Sequence, residues 1–335
     1  MYSVSALGIK GIFAFEFVVD FFDRSLEFYK MRLGFIETHR SSPEWETQFN
    51  GKGAYLKSND ISILIATPIS SQGYTAEFLK ILSPGIRRVT FIVDSLDRAT
   101  DYLKSHDATF IHPEKEIRSE NSSHRFVTIA TPIGFLEFAF LEISGDADEI
   151  PMFDKIDPYE PTMPAFKNID HMTINTRTLY PIANFLEHVM DLRKFWSVSF
   201  HTPDYKSGKK GTGLSSKVMW DAASKIKFAI NEPLYPHFND SQIQAFINRN
   251  HAPGIQHIAL AVDNIIDTAR TLRSRGVQFL DTPDSYYDLL PARLESRGIG
   301  KIKESLSEIK AERILVDGRD GVYLLQIFLK DASLL

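Results

Sequence analysis

The feature that most constrains the fold of this chain is a stretch of sequence that occurs twice. VDSLDRATDYLKSHDATFI (93–111) aligns without gaps with VDNIIDTARTLRSRGVQFL (262–280), at a constant offset of 169 residues. The Gly-Ile that precedes each copy is repeated as well, at 85–86 and 254–255. Each copy predicts a strand, a helix and a second strand, and in the later copy Gly276 follows the helix at the usual C-terminal position. We therefore interpret the chain as an internal duplication.

Each half divides again into two modules. In the first half FAFEFVV precedes a predicted helix and the strand-rich segments GAYLKS and ISILIATPI. In the second half NIDHMTIN precedes a helix and the segments SKVMW and KIKFAINEP. A βαβββ module has too few strands to bury both faces, so two modules are expected to pair into an open, curled β-barrel with helices outside. The predicted fold class is α+β, with two such domains.

A proline-rich, acidic segment separates the halves. SGDADEIPMFDKIDPYEPTMPAF (144–166) contains four prolines and several acidic residues, a composition typical of an extended linker. We place the boundary near 150–165, with an N-terminal domain at 1–150 and a C-terminal domain at 160–335.

Composition narrows the classes of function. A net charge of −5 disfavours a non-specific binder of nucleic acid or of anionic membranes, since both need a basic face. The chain has no cysteine, which excludes disulfides, thiolate nucleophiles and cysteine-bound metals. No apolar run approaches the length of a membrane span, and the N-terminus lacks the pattern of a signal peptide. We expect a cytoplasmic protein that binds neither nucleic acid nor membranes.

Histidines distinguish the second half from the first. Alternation along GIQHIALAV places His257 on one face with two alanines, and alternation along NIDHMTIN places His171 on the more polar face. The matching strands of the first half contain Glu16 and the pair Arg87-Arg88 instead. A face of histidine and small residues suits the inside of a concave sheet that leaves room for a ligand. The alternative is that both are ordinary strand histidines with satisfied hydrogen bonds.

Further polar residues cluster in the second half, although a turn or surface position is the usual one for Ser, Asn and Gln, and each by itself is more typical of a structural residue than of a functional one. These residues are Ser216, Asn231, Gln242 and Gln256.

Together these segments resemble the 4-hydroxyphenylpyruvate dioxygenase family of the vicinal-oxygen-chelate superfamily. The resemblance is carried by NIDHMTIN, TGLSSKV, FAINEP, SQIQAFI, GIQHIALAV, SYYDLL and GVYLLQIF. It covers most of 165–330 in family order, and over 1–150 it depends mainly on the duplicated architecture. The first half is accordingly expected to be a non-catalytic domain of the same superfamily, and the second half the catalytic, metal-binding domain.

The resemblance also implies roles for individual residues. In the family two histidines and one glutamate bind a catalytic iron(II) and leave positions free for substrate and O₂. Carried over by motif, His171 and His257 are the two imidazole ligands. The residues implied for substrate binding are Ser216, Asn231, Gln242, Gln256 and Gln326. Because strict alternation turns Gln256 away from His257, we expect Gln256 to orient its neighbours and not to touch the substrate.

The implied activity is that of an iron(II)-dependent dioxygenase. It would convert 4-hydroxyphenylpyruvate and O₂ into homogentisate and CO₂, a step of tyrosine catabolism, with the 2-oxo acid supplied by the substrate itself. The resemblance further implies a homodimer or homotetramer. Two alternatives stay open: 4-hydroxymandelate synthase, which acts on the same substrate, and a non-catalytic binding protein of the same fold.

The third ligand of the family is expected outside this sequence. The glutamate lies on a last strand that follows the LLQIF segment, and the sequence ends at Leu335. We expect that glutamate, with its strand and a closing helix, beyond Leu335, and the sequence as it stands to be poor in metal or inactive. Asp317 and Asp320 are no substitutes, because DGRDG predicts a hairpin turn, and Glu137 should lie in the other half.

Overall fold

The computed structural model describes residues 6–157, 166–201, 213–234 and 238–330. The strands of the first half are β1 (Ile9–Val18), β2 (Ile36–Ser41), β3 (Gly51–Ser58), β4 (Ile61–Pro68), β5 (Gly85–Val93), β6 (Phe110–Arg118), β7 (Ser122–Ala130), β8 (Glu137–Gly145) and β9 (Phe153–Lys155). They form a nine-stranded sheet in the order β6-β7-β8-β5-β1-β4-β3-β2-β9. The helices of this half are α1 (Phe22–Glu27), which continues into a π-helical turn (Phe28–Arg32), α2 (Pro43–Phe49), α3 (Tyr74–Ile81) and α4 (Leu96–Ser105).

Pairing of the strands reproduces the predicted modules. The first strand of each module pairs in parallel with its last strand, β1 with β4 and β5 with β8, while β1 and β5 pair antiparallel and join the two modules. Alternation separates the two faces of the sheet. Phe15 is fully buried in the same apolar cluster as Phe22 and Leu26 of α1, whereas Glu16 on the other face belongs to a buried ion-pair network.

The second half repeats this arrangement. Its strands are β10 (Ile169–Asn175), β11 (Arg193–His201), β12 (Gly213–Trp220), β13 (Lys227–Pro233) and β14 (Gly254–Leu260), in the sheet order β11-β12-β13-β10-β14. The parallel pair β10/β13 and the antiparallel pair β10/β14 correspond to β1/β4 and β1/β5. Its helices are α5 (Leu179–His188), α6 (Gln242–Asn250) and α7 (Ile265–Ser274). The predicted α+β class, with curled sheets built from repeated modules and helices outside, is confirmed.

Local signals explain why the duplicated segment forms a helix in both copies. The side chain of Ser95 accepts from the backbone N–H of Arg98 and caps α4, and Asn264 caps α7 in the same way. Apolar residues at helical spacing are buried in each copy. Gly276 has φ +81°, the left-handed conformation that ends a helix at little cost in glycine.

The fourth module departs from the prediction. The strand predicted at the end of the second copy is reduced to a single bridge between Phe279 and Leu329. Three helices follow it, α8 (Asp284–Asp288), α9 (Leu290–Ser296) and α10 (Leu306–Ala311), and then the hairpin of β15 (Leu315–Arg319) and β16 (Val322–Gln326). In the described part of the chain, residues 278–280 form strand-type backbone hydrogen bonds with residues 328–330, whereas β6 pairs with the length of β7. The predicted hairpin turn is confirmed, with Asp320 and Gly321 at φ 53° and 80°.

The two halves share an apolar core. The ring of Phe138 in β8 lies 5.6 Å from that of Phe228 in β13 and 6.1 Å from that of Phe185 in α5. Part of the predicted linker is structured, because β9 adds to the edge of β2; residues 158–165 lie outside the described part. Among the helices of the described residues, none has the length and apolarity that crossing a membrane requires.

Candidate metal centre

His171 and His257 face each other from neighbouring strands. In the β10/β14 pair Thr173 lies opposite His257 and Ala259 opposite His171. The two ring centroids are 5.6 Å apart and the ring planes are inclined by 74°. An ion about 2.1 Å from one nitrogen of each ring, at the roughly 109° angle of a tetrahedral site, places the ring centroids roughly 5.3 Å apart. The observed separation is therefore compatible with two nitrogen donors to one ion.

Each histidine is held at Nδ1 by the residue that precedes it. The Nδ1 of His171 lies 2.7 Å from Oδ2 of Asp170, and the Nδ1 of His257 contacts Oε1 of Gln256. Carboxylate and amide oxygens accept hydrogen bonds, so in the neutral rings Nδ1 carries the proton and Nε2 carries the lone pair. A metal bound at Nε2 requires this tautomer.

Both contacts depend on irregular backbone. Strict alternation would place Asp170 and Gln256 on the face opposite to the histidines, and the expectation that Gln256 points away from His257 is wrong. The β10/β14 register shifts between Ile169 and His171 and again between Thr173 and Ile174. Such bulges turn consecutive side chains toward one face. A contact between Gln256 and the neighbouring imidazole nevertheless suits the orienting role that we expected of Gln256.

The Nε2 of His257 has a protein partner of its own. It lies 2.9 Å from Oγ1 of Thr173, which is only 2% exposed. Because Nε2 carries the lone pair, the hydroxyl donates. Burial, and to a smaller extent the proximity of His171, lowers the pKa of His257 to about 4. His257 is therefore neutral at neutral pH, the form in which an imidazole binds a metal.

An ion pair that the sequence analysis missed lies beside His171. The Nζ of Lys227 is 2.8 Å from Oδ1 of Asp170, whose other oxygen contacts His171. The hydrogen bond from His171, and then that from Lys227, hold the pKa of Asp170 well below its usual range. The sequence does place an aspartate directly before the histidine in NIDHMTIN. Alternation, however, puts the two side chains on opposite faces of the strand and so predicts no contact between them.

Five of the predicted site residues border one open cavity. This cavity measures about 1970 Å³ and extends between the two halves. The predicted residues that line it are His171, Ser216, Gln256, His257 and Gln326. Its lining is apolar for the most part and includes these polar groups, a composition typical of sites for small organic ligands.

Asn231 and Gln242 are not among the residues that line this cavity. Asn231 lies opposite Ser216 in the β12/β13 pair, and its Nδ2 is 3.4 Å from Oδ1 of Asn175. Gln242 is the exposed first residue of α6, whereas Gln244 is buried, at 3% exposure. The substrate-binding roles of the whole set stay predictions.

Phe328 is a further site residue that the sequence analysis did not single out. Its ring meets that of His257 edge to face, with centroids 5.5 Å apart, and it lines the same cavity. The signal was present in the LLQIF segment, where Phe328 follows Gln326 by two positions.

The described residues do not supply a third ligand. Nowhere in the part of the chain that the structure describes do three or more His, Cys, Asp or Glu side chains cluster as a metal would require. Asp317 instead contacts Arg297, and Glu137 pairs with arginines in the first half. The position expected for the third ligand, beyond Leu335, lies outside the described residues.

Known proteins resemble this chain in both halves. The model of the Glyoxalase/Bleomycin resistance protein/Dioxygenase superfamily matches residues 11–136 and 168–290, one match in each half. A 4-hydroxyphenylpyruvate dioxygenase of Dictyostelium discoideum is 32% identical over 285 residues, 82% of this chain and 75% of that protein. Another, of Caenorhabditis briggsae, is 30% identical over 94% of this chain and 81% of its own length.

A solved structure shares the fold. A triple mutant of 4-hydroxymandelate synthase from Streptomyces coelicolor superposes with a TM-score of 0.80 at 20% identity, over 97% of this chain and 89% of that one. The family match in both halves and the identity to these enzymes confirm the resemblance first drawn from the motifs. The chain belongs to the Glyoxalase/Bleomycin resistance protein/Dioxygenase superfamily and, within it, to the 4-hydroxyphenylpyruvate dioxygenase family of enzymes.

Proposed function

We propose that this protein is an iron(II)-dependent dioxygenase that converts 4-hydroxyphenylpyruvate and O₂ into homogentisate and CO₂ in tyrosine catabolism. The observation that carries the proposal is the pair of imidazoles 5.6 Å apart on adjacent strands, in a chain whose relatives are named for this reaction. The proposal also assigns a role to each residue of the site.

His171 and His257 would hold the metal, with a glutamate beyond Leu335 as third ligand. The donor set supports iron(II), because two imidazoles and one carboxylate leave open positions for a chelating 2-oxo acid and for O₂. When bound, the metal supplies oxygen activation and the oxidative decarboxylation of the 2-oxo acid.

The protein's own residues orient these groups and shape the pocket. Asp170 and Gln256 keep Nδ1 protonated in the two imidazoles and so leave the lone pair of each Nε2 for the metal. Phe328 offers an aromatic face beside His257, which suits a phenyl ring. Substrate binding is assigned to five polar residues, Ser216, Asn231, Gln242, Gln256 and Gln326.

In this proposal the two halves have different functions. Residues 160–335 form the catalytic domain and residues 1–150 a non-catalytic one. This division is supported by Arg88, which stands 169 positions before His257 and takes part in ion pairs instead of offering an imidazole. The protein would act in the cytoplasm as a homodimer or homotetramer.

The test is a product analysis of the full-length protein. After anaerobic loading with iron(II), 4-hydroxyphenylpyruvate is added with air, and O₂ uptake is recorded while products are separated by chromatography. We expect homogentisate and CO₂ in equal amounts. The variant His257→Ala should take up no O₂, whereas His112→Ala, which changes an exposed strand histidine of the first half, should match the parent. A product of 4-hydroxymandelate, or turnover by His257→Ala, would overturn the proposal.

A further inference from the structure

We propose that Asp170 and Lys227 are positioning residues for His171, with Asp170 fixing the imidazole as its Nδ1–H tautomer and Lys227 fixing Asp170. The inference rests on the proposed function in that His171 is taken to bind the metal. It concerns two side chains that neither touch the substrate nor bind the ion.

The three side chains form a chain of contacts across two strands. His171 donates from Nδ1 to Oδ2 of Asp170 at 2.7 Å, and Lys227 donates from Nζ to Oδ1 at 2.8 Å. Strands β10 and β13 run parallel with Met172 beside Phe228, so Lys227 stands next to His171 in register. The bulge between Ile169 and His171 brings the carboxylate to the same side.

The exposure of Asp170 does not by itself require its carboxylate to face His171. Its side chain is 52% exposed, so water could solvate the carboxylate without either contact. The bulged backbone and the pairing of both carboxylate oxygens instead hold it in one orientation. A neutral imidazole free in solution exchanges between two tautomers, and an acceptor fixed at Nδ1 selects the one with an available Nε2. A carboxylate in this position also makes the ring a stronger donor to a metal.

The two histidines differ in the group that accepts the hydrogen bond from Nδ1. Gln256 offers His257 a neutral amide oxygen, whereas Asp170 offers His171 a charged carboxylate that is itself paired with a cation. Removing Asp170 should therefore affect His171 alone. This asymmetry gives the test an internal reference within the same protein.

The first experiment uses the metal-free, full-length protein with ¹⁵N-labelled histidine. Long-range ¹H–¹⁵N spectra report which ring nitrogen carries the proton. We expect His171 to be a single Nδ1–H tautomer in the parent and a mixture of the two tautomers in Asp170→Ala. The tautomer of His257 should not change. A single Nδ1–H tautomer of His171 in Asp170→Ala would overturn the inference.

The second experiment is a titration with Co(II) followed by its visible absorption. Asp170→Ala should weaken Co(II) binding about 10- to 100-fold, the effect of losing a partner of a metal-bound histidine. Lys227→Met and Asp170→Asn should each weaken it by less. The matched controls are Asp263→Asn and Lys167→Met, which break another exposed Asp–Lys pair of the second half and should leave the affinity unchanged. Unchanged affinity in Asp170→Ala would contradict the inference.

The two proposals fail in different ways. If His171→Ala binds Co(II) as tightly as the parent, the metal assignment fails, whatever Asp170 does to the tautomer. If His171→Ala loses the metal while Asp170→Ala alters neither tautomer nor affinity, only the positioning inference fails.

Discussion

Nη2 of Arg88 lies 3.0 Å from Oε2 of Glu137, and the two residues are direct register partners in the parallel pair β5/β8. Arg88 stands 169 residues before His257, so the duplication places a guanidinium in the first half where the second half has an imidazole. Arg87 pairs with Glu137 and with Glu16, which is 5% exposed. Burial alone would raise the pKa of Glu16, but Arg88 and Arg87 outweigh burial and hold the pKa below its usual value. Arginine therefore supplies the internal positive charge of the first half.

Arg88→Met should destabilise the protein strongly. The change leaves the buried carboxylates without one of their two cations, and breaking a buried ion pair costs about 3–5 kcal/mol. Urea unfolding of the metal-free protein measures the loss. Arg98→Met, which breaks a more exposed pair with Asp94, should cost about 0–1 kcal/mol. Equal losses in the two variants would contradict an energetic role of the buried network.

Thr173→Val should bind Co(II) more tightly than the parent. The Thr173 hydroxyl donates to Nε2 of His257, and a metal at Nε2 must displace it. Valine keeps the shape and removes that competitor, which corresponds to an affinity gain of up to about fivefold for one net hydrogen bond. Calorimetric titration checks the result, with Ser216→Ala as a control from the same face of the sheet. Weaker binding by Thr173→Val would show that the hydroxyl supports the metal site.

Phe328→Leu should raise KM for the aromatic substrate and leave the metal content unchanged. An aromatic pair contributes about 0.5–1.5 kcal/mol beyond its buried area, so an increase of roughly 2- to 10-fold is expected. Steady-state O₂ uptake and iron analysis measure the two quantities. Phe21→Leu, at an exposed position of the first half, is the control. Loss of iron without a change in KM would assign Phe328 to the metal site.

Stability should fall as the pH drops from 7 toward 4, and His124 should account for part of the loss. Burial lowers the pKa of His124 to about 4, and a backbone contact with Glu149 opposes only part of that effect. Because the unfolded chain takes up the proton near pH 6.5, the contribution of His124 is complete above that pH and is lost as the pH falls toward 4. A shift of this size corresponds to on the order of 3 kcal/mol.

His124→Phe tests this assignment. Phenylalanine preserves the edge-to-face contact with Phe13 and removes a buried Nε2 that has no hydrogen-bond partner within the described ranges. Urea unfolding at pH 7 and pH 4.5 should show a smaller difference for His124→Phe than for the parent. His112→Phe, at an exposed strand position, should retain the difference of the parent. An unchanged difference in His124→Phe would assign the acid sensitivity to other groups.

Much of the fold could be predicted because duplication makes one half a template for the other. The gapless repeat, with its caps and helical spacing, located α4 and α7 and placed β5 and β14 in corresponding positions. It also set His171 and His257 on neighbouring strands, since the first strands of paired modules are adjacent. The helices at 284–311 were missed because that segment has no counterpart in the first half.

Contacts within the site were harder to predict, because they depend on departures from regular geometry. Alternation assigns one face to each residue, and a bulge reverses that assignment for Asp170 beside His171. The burial of two arginines could not be predicted from the sequence for a related reason. Arg87 and Arg88 resemble solvated surface charges in the sequence, and only their proximity to two carboxylates makes burial tolerable.

The most direct test of the account is anomalous diffraction at the iron edge from crystals of the full-length protein loaded anaerobically with iron(II). We expect one peak, about 2 Å from Nε2 of both His171 and His257. A peak that touches only one of these imidazoles, or iron found only elsewhere in the protein, would contradict the account.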